Sequence, residues 1–124
     1  MAKKRPSHIS LRFLAEPTDV NFGGKVHGGT VMKWIDQAGY ANAVQWSGFY
    51  SVTVYVGGIR FLAPIRIGSF VDVTSELIYT GNSSMHLNVE VRSRSIKSEK
   101  SQLCGHCVIV FAAVDETGQT VNVP

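Results

Sequence analysis

Between Thr30 and Trp46 the inward positions recur at helical intervals. Val31, Ile35, Ala38 and Asn42 share one face, flanked by Met32 and Gly39, while Lys33, Gln37 and Tyr40 fall on the other side. Asp36 lies at the boundary between the two faces. Small residues crowd this stretch (Ala38, Gly39, Ala41, Ala43), which suits a helix closely wrapped by a curved sheet. Ser47-Gly48 is a stop signal.

Elsewhere the period changes to two. Val52, Val54 and Val56 alternate with Thr53 and Tyr55, until Gly57-Gly58 interrupts as a bulge or a close backbone approach. Val71, Val73, Leu77 and Tyr79 alternate with Asp72, Thr74 and Glu76. Thr80-Gly81-Asn82-Ser83 is a hairpin turn, and Met85, Leu87, Val89 and Val91 then alternate with His86, Asn88, Glu90 and Arg92. Cys107 to Val114 is continuously apolar and predicts a central strand buried on both faces. His8 to Ala15 predicts a short strand, and Glu16 to Gly29 an irregular loop rich in Pro, Asp, Asn and Gly. Strands segregated from one helix predict an α+β fold, an antiparallel sheet packed on that helix.

The chain has 124 residues, 44% hydrophobic and 17% charged. That size and balance predict one globular domain over residues 8–124, after a basic flexible tail of residues 1–7. The net charge of +3 reflects Lys3, Lys4 and Arg5; the other nine basic residues balance nine acidic ones. A nucleic-acid reader needs a basic face with interleaved aromatics, and none is evident. One short patch of Arg92, Arg94, Lys97 and Lys100 suits a small anion. No apolar run reaches the length of a membrane span. Ile9 to Leu14 is too short for a secretory signal, and two cysteines without one predict a reducing, cytoplasmic location.

Several tempting motifs fail on chemistry. Asn21 to Thr30 superficially resembles a phosphate loop but lacks Gly-Lys-Thr and a following βαβ unit. Cys104-Gly-His-Cys107 has a redox spacing, but it opens a strand, where positions three apart face opposite ways. These cysteines are therefore expected to be core or strand residues. His27, His86 and His106 have no metal-ligand spacing, so no metal is expected, and no Gly-x-Ser-x-Gly elbow exists. Gly28 and Gly29 open the helix, where free N–H groups and the positive dipole end can polarise a carbonyl oxygen.

Together, Pro17-Thr-Asp-Val-Asn21, His27-Gly-Gly29 and Trp34-Ile-Asp36-Gln-Ala-Gly39 resemble the signature of hotdog-fold acyl-CoA thioesterases. Arg60-Phe-Leu-Ala-Pro-Ile-Arg-Ile-Gly68, Thr80-Gly-Asn-Ser-Ser84 and Val110-Phe-Ala-Ala-Val-Asp115 follow in the family's order. The resemblance covers nearly the whole chain after the basic tail and is to the bacterial YciA-type subgroup. Ser69 departs from it, standing where many relatives carry Asp, and His27 stands where an aromatic can occur.

The resemblance implies a five-stranded antiparallel sheet around one long helix, with two protomers joined edge to edge through Ser51 to Phe61. It implies a homodimer at least, commonly a trimer of dimers, with the active site between protomers. It implies that Asp36 is the catalytic carboxylate, that Asn21 faces the partner's carboxylate, and that Gly28 and Gly29 form the oxyanion-binding turn. Asp36 then acts as general base on water or as nucleophile. The substrate is acyl-CoA, and no further cofactor is implied. His27, Arg60, Arg92, Arg94 and Lys97 are candidate substrate-binding residues, as are Thr80, Ser83 and Ser84 of the hairpin turn. Two alternatives stay open: a non-catalytic acyl-CoA-binding module, and an acyl thioester dehydratase using His27.

Overall fold

The helix α1 runs from Gly28 to Ser47, two residues earlier than the apolar periodicity predicts. It ends because Gly48 adopts a left-handed backbone (φ 76°) and returns its N–H to Val44 O at 2.8 Å. The computed structural model describes residues 5–124. Part of the expected flexible tail, residues 1–4, lies outside the described residues. Arg5 donates to Trp46 O at 2.7 Å, and Ser7 O accepts from Leu77 N at 2.8 Å.

Five strands surround the helix: β1 (His8–Leu14), β2 (Ser51–Phe61), β3 (Phe70–Thr80), β4 (Ser84–Arg94) and β5 (Gln102–Ala113). They form one antiparallel sheet in the order β1-β3-β4-β5-β2. The architecture is the expected α+β arrangement of one helix and a five-stranded antiparallel sheet.

The period-two pattern of β4 explains its placement. Met85, Leu87, Val89 and Val91 are fully buried beneath the helix, and the alternate residues lie on the outer face. From the helix, Val31, Trp34, Ile35, Ala38 and Ala43 join this core, and Trp34 stacks on Phe13 at 5.2 Å. Asn42 is also fully buried, at a position the spacing assigned to the inward face. Its amide donates to Ser7 O, Ser75 O and Ser75 Oγ, each at 3.1 Å, and its oxygen accepts from Gln45, so burial leaves nothing unpaired.

The sheet register shifts at four places, two of which bear on the glycine pair and the cysteines. At Gly57-Gly58 the β2–β5 register shifts and Gly58 takes φ 61°, so the predicted interruption is a bulge inside one continuous strand. Another bulge falls on β5, where Val91 pairs Gly105 but Arg92 pairs Leu103. The extra residue is Cys104. It turns inward to meet Ser93 Oγ at 3.0 Å, while Cys107 also belongs to the core. The two cysteines therefore do not face opposite ways, as simple alternation predicted. Both are free and buried, and burial pushes the Cys107 thiol up.

The outer edge of β2 has no strand beside it among the described residues. Val54, Tyr55, Ile59 and Phe61 are all exposed along this element. No described helix is long and apolar enough to cross a membrane.

Candidate active site

Asp36 leaves the helix on its exposed side, at the flank that meets β2. Thr53 reaches it from that strand, its Oγ1 donating to Asp36 Oδ1 at 2.8 Å. The pair exists because Ser51 is buried and Thr53, two positions further along β2, shares its helix-facing side of the strand. One carboxylate oxygen is thereby fixed, and Oδ2 is left free to accept a proton. Sequence reasoning missed Thr53; the available signal was a polar residue in the strand directly following the helix.

The glycine turn is built by a different set of contacts. Asn21 folds its own loop: its Oδ1 accepts from Gly23 N at 2.9 Å and Lys25 N at 3.3 Å. This leaves the Nδ2 group of Asn21 as its available donor. Val26 N–H to Ile65 O at 2.8 Å pins the loop to the β2–β3 connection, and His27 N–H to Asp19 O at 2.9 Å closes the loop on itself. His27 is the helix N-cap, exposed and without a side-chain capping bond. Val31 makes the first helical hydrogen bond, to His27 O at 3.1 Å, so the N–H groups of Gly28, Gly29 and Thr30 lie ahead of the ladder. Neither glycine has a positive φ, and a Cβ built on Gly29 would meet nothing within 4 Å. The fold of the chain therefore does not require glycine at 29, and the space beside it is open.

Asn21, Gly28, Val31, Phe61 and Cys104 line a cleft of about 380 Å³. Asp36 and Thr53 are not part of it. Seven residues separate Gly29 from Asp36, placing the carboxylate on nearly the same helix face but about 10 Å further along the axis. Within a single chain the carboxylate and the glycine turn are thus set apart.

The other sequence-predicted residues are dispersed. Arg60 lies exposed on β2, opposite His106. Thr80, Ser83 and Ser84 bracket the β3–β4 turn. Arg92 lies 3.6 Å from Glu90 in an ion pair on the outer face, and Lys97 is exposed beyond β4. Arg94 instead turns toward the β2–β3 connection, its guanidinium 5.0 Å from the Phe70 ring centroid. A larger cleft of about 880 Å³ lies by Phe49, Tyr50 and the Asp115 to Gly118 turn, and contains no residue predicted from the sequence. Among the described residues no group of three or more His, Cys, Asp or Glu could hold a metal.

The family model of the thioesterase superfamily matches residues 23–100, from the glycine loop to the end of the β4–β5 connection. The chain belongs to that superfamily. It is 34% identical to an uncharacterised acyl-CoA thioester hydrolase of Buchnera aphidicola from Schizaphis graminum, over 90% of this chain and 84% of that one. Among solved structures it superimposes on an acyl-CoA hydrolase of Staphylococcus aureus, determined with butyryl-CoA, CoA and CoA disulfide. The TM-score is 0.90 at 29% identity, over 95% of this chain and 72% of that one. Aspartate, threonine and asparagine variants of that hydrolase, each replaced by alanine, give matching structures too. A hexameric thioesterase of Yersinia pestis matches with TM-score 0.86 and 33% identity, over 92% and 93% of the two chains. The family resemblance read from Asn21, His27-Gly-Gly29 and the helix is thereby established at the level of the whole fold.

Proposed function

We propose that this protein hydrolyses acyl-CoA to CoA and a carboxylic acid, in a site that two protomers complete. The observation carrying this reading is the Asp36–Thr53 hydrogen bond at the helix flank, beside the unpaired strand edge. The spacing of residues supports it. In the S. aureus hydrolase the substituted asparagine, aspartate and threonine stand 15 and 17 positions apart. Asn21, Asp36 and Thr53 have the same spacing here.

The chemistry follows from these groups. Attack on a thioester drives negative charge onto the carbonyl oxygen. The open N–H groups of Gly29 and Gly28, at the positive end of α1, receive that charge; one such donor is worth about 3 kcal/mol. Asp36, aimed through Oδ1 by Thr53, uses Oδ2 as general base on water or as nucleophile. Asn21 of the partner orients the water or the carboxylate through its Nδ2. CoA leaves as thiolate, so no dedicated general acid is needed. The roughly 10 Å between glycine turn and carboxylate within one chain is bridged by association, with the turn of one subunit meeting the acid of the other.

The exposed apolar edge of β2 supports the dimer. A long hydrophobic edge strand is an aggregation hazard unless another strand covers it, and a twofold-related β2 would extend the sheet to both protomers. Hexameric thioesterases among the structural matches support further assembly into a trimer of dimers. Two free cysteines fit a reducing cytoplasm.

The test is release of free thiol from a panel of acyl-CoAs by wild type and Asp36→Asn. Turnover lost in Asp36→Asn supports the reading. Tight uptake of acyl-CoA without thiol release would replace it with a binding module, and hydration of an enoyl-CoA dependent on His27 would replace it with a dehydratase.

A further inference from the structure

A third cleft, of about 390 Å³, lies across Pro64 from the glycine-turn cleft, and Pro64 lines both. Its wall carries Arg66, Arg94 and Lys100 together with the hydroxyl residues Ser69, Ser95 and Ser98, and none of its lining residues is acidic. The three cations come from distant parts of the chain. Arg66 belongs to the β2–β3 connection, Arg94 ends β4, and Lys100 stands just before β5. Neither the ion pair of Arg12 with Asp72 nor that of Arg92 with Glu90 includes any of them. The charge of Arg94 bears on Asp72, but Arg12 already holds both of that carboxylate's oxygens, at 2.7 and 3.0 Å.

Arg94 is also fixed before any ligand arrives. Its guanidinium lies over Phe70, and its Nη1 donates to Ser98 O at 3.2 Å. Holding three like charges around a concave surface is unfavourable unless an anion joins them, and such a concavity raises the local concentration of anions. Planar guanidinium forks with hydroxyl donors match phosphate oxygens.

We infer that the Arg66–Arg94–Lys100 cleft binds the phosphate groups of a nucleotide. This rests on the hydrolase reading for one source of that nucleotide, the CoA end of the substrate. The adjoining cleft carries Asn21, Gly28 and Lys25, so a phosphate seated here leaves the rest of a CoA directed past Pro64 toward the glycine turn. Backbone pairing of Lys25 with Arg66 ties the two clefts together. Arg92 and Lys97, members of the linear basic patch, do not line the cleft.

The experiment uses the whole protein in its native assembly. Binding of adenosine 3′,5′-bisphosphate is measured by calorimetry for wild type, Arg66→Gln, Lys100→Gln and Arg94→Lys. Arg66 and Lys100 are exposed, so their variants should fold, and Arg94→Lys keeps the charge while losing the fork. The expected result is binding weakened roughly 10- to 100-fold in Arg66→Gln, the range for a lost charge-assisted hydrogen bond. Adding salt should weaken wild-type binding as well. If the substrate supplies the nucleotide, the bisphosphate competes with acyl-CoA, and Arg66→Gln raises KM for acyl-CoA with kcat unchanged. The same variant then leaves kinetics on acyl-pantetheine, which lacks phosphates, as in wild type. If a separate nucleotide is the ligand, binding still depends on Arg66 but no competition is seen. Absence of nucleotide binding, or binding indifferent to all three substitutions, overturns the inference. Arg66-dependent binding in a protein that releases no thiol would keep this site and remove the hydrolase reading.

Discussion

Thr53 Oγ1 donates to Asp36 Oδ1 at 2.8 Å, joining the edge strand β2 to a carboxylate on the helix flank. A hydrogen bond to a charged group contributes about 1.5–3 kcal/mol. Thr53→Val keeps the shape and β propensity but removes the donor. It should lower kcat by roughly 10- to 100-fold, with far-UV circular dichroism unchanged. Thr53→Ser restores the hydroxyl and should recover most of the rate.

Gly29→Ala separates the needs of folding from those of chemistry. A Cβ there meets nothing within 4 Å, and alanine favours a helix by up to about 1 kcal/mol over glycine. The variant should melt no lower than wild type. Its kcat/KM should nevertheless fall by an order of magnitude or more, because the methyl occupies the space through which a carbonyl oxygen approaches the N–H groups. The check is a melting curve and a thiol-release assay on one preparation.

Gly39 shows the opposite balance. A Cβ there would stand 2.9 Å from Phe111 Cε2 and 3.1 Å from Ile109 Cγ2, and both rings and branches are fully buried. Overpacking costs about 1–3 kcal/mol, against a helix-propensity gain of about 1 kcal/mol. Gly39→Ala should therefore lose about 1 kcal/mol net and lower Tm by roughly 4 °C, read by calorimetry.

The Arg12–Asp72 pair joins β1 to β3 at the sheet's other edge. The Arg12 guanidinium holds the Asp72 carboxyl below its ordinary value of 3.8, first through their hydrogen bonds. A depressed carboxyl stabilises the folded state fully above its unfolded pKa, and that contribution disappears as pH falls through the folded value. Asp72→Asn should thus have a lower urea midpoint than wild type at pH 7. The two midpoints should converge in acid, below the ordinary carboxylate range.

Much of this architecture was legible in the chain. Val31, Ile35, Ala38 and Asn42 located the helix, and the alternation from Met85 to Arg92 located β4 and its buried face. The helix start was read two residues late because glycine is a poor helix former, while here Gly28 and Gly29 are recruited into the first turn by the pinned loop. The inward turn of Cys104 was not legible, since a bulge adds a residue that no alternation pattern announces. Thr53 was seen as one polar step in an apolar strand; its partner lies 17 residues away and is chosen by how β2 crosses the helix flank. Arg66 escaped for the same reason. Its neighbours Arg94 and Lys100 were visible as a linear patch, but the cleft forms only when the β2–β3 connection folds over the end of β4.

The sharpest test is complementation between two inactive proteins. Asp36→Asn removes the carboxylate, and Asn21→Ala removes the loop donor. Co-expressed with separate affinity tags and purified as mixed assemblies, they pair each subunit's intact half-site with its partner's. If Asp36 of one protomer works with Asn21 of the other, the mixed dimers so purified should recover about half of wild-type thiol release, because each restores one of two sites. Mixed assemblies as inactive as either parent would contradict a site shared between subunits.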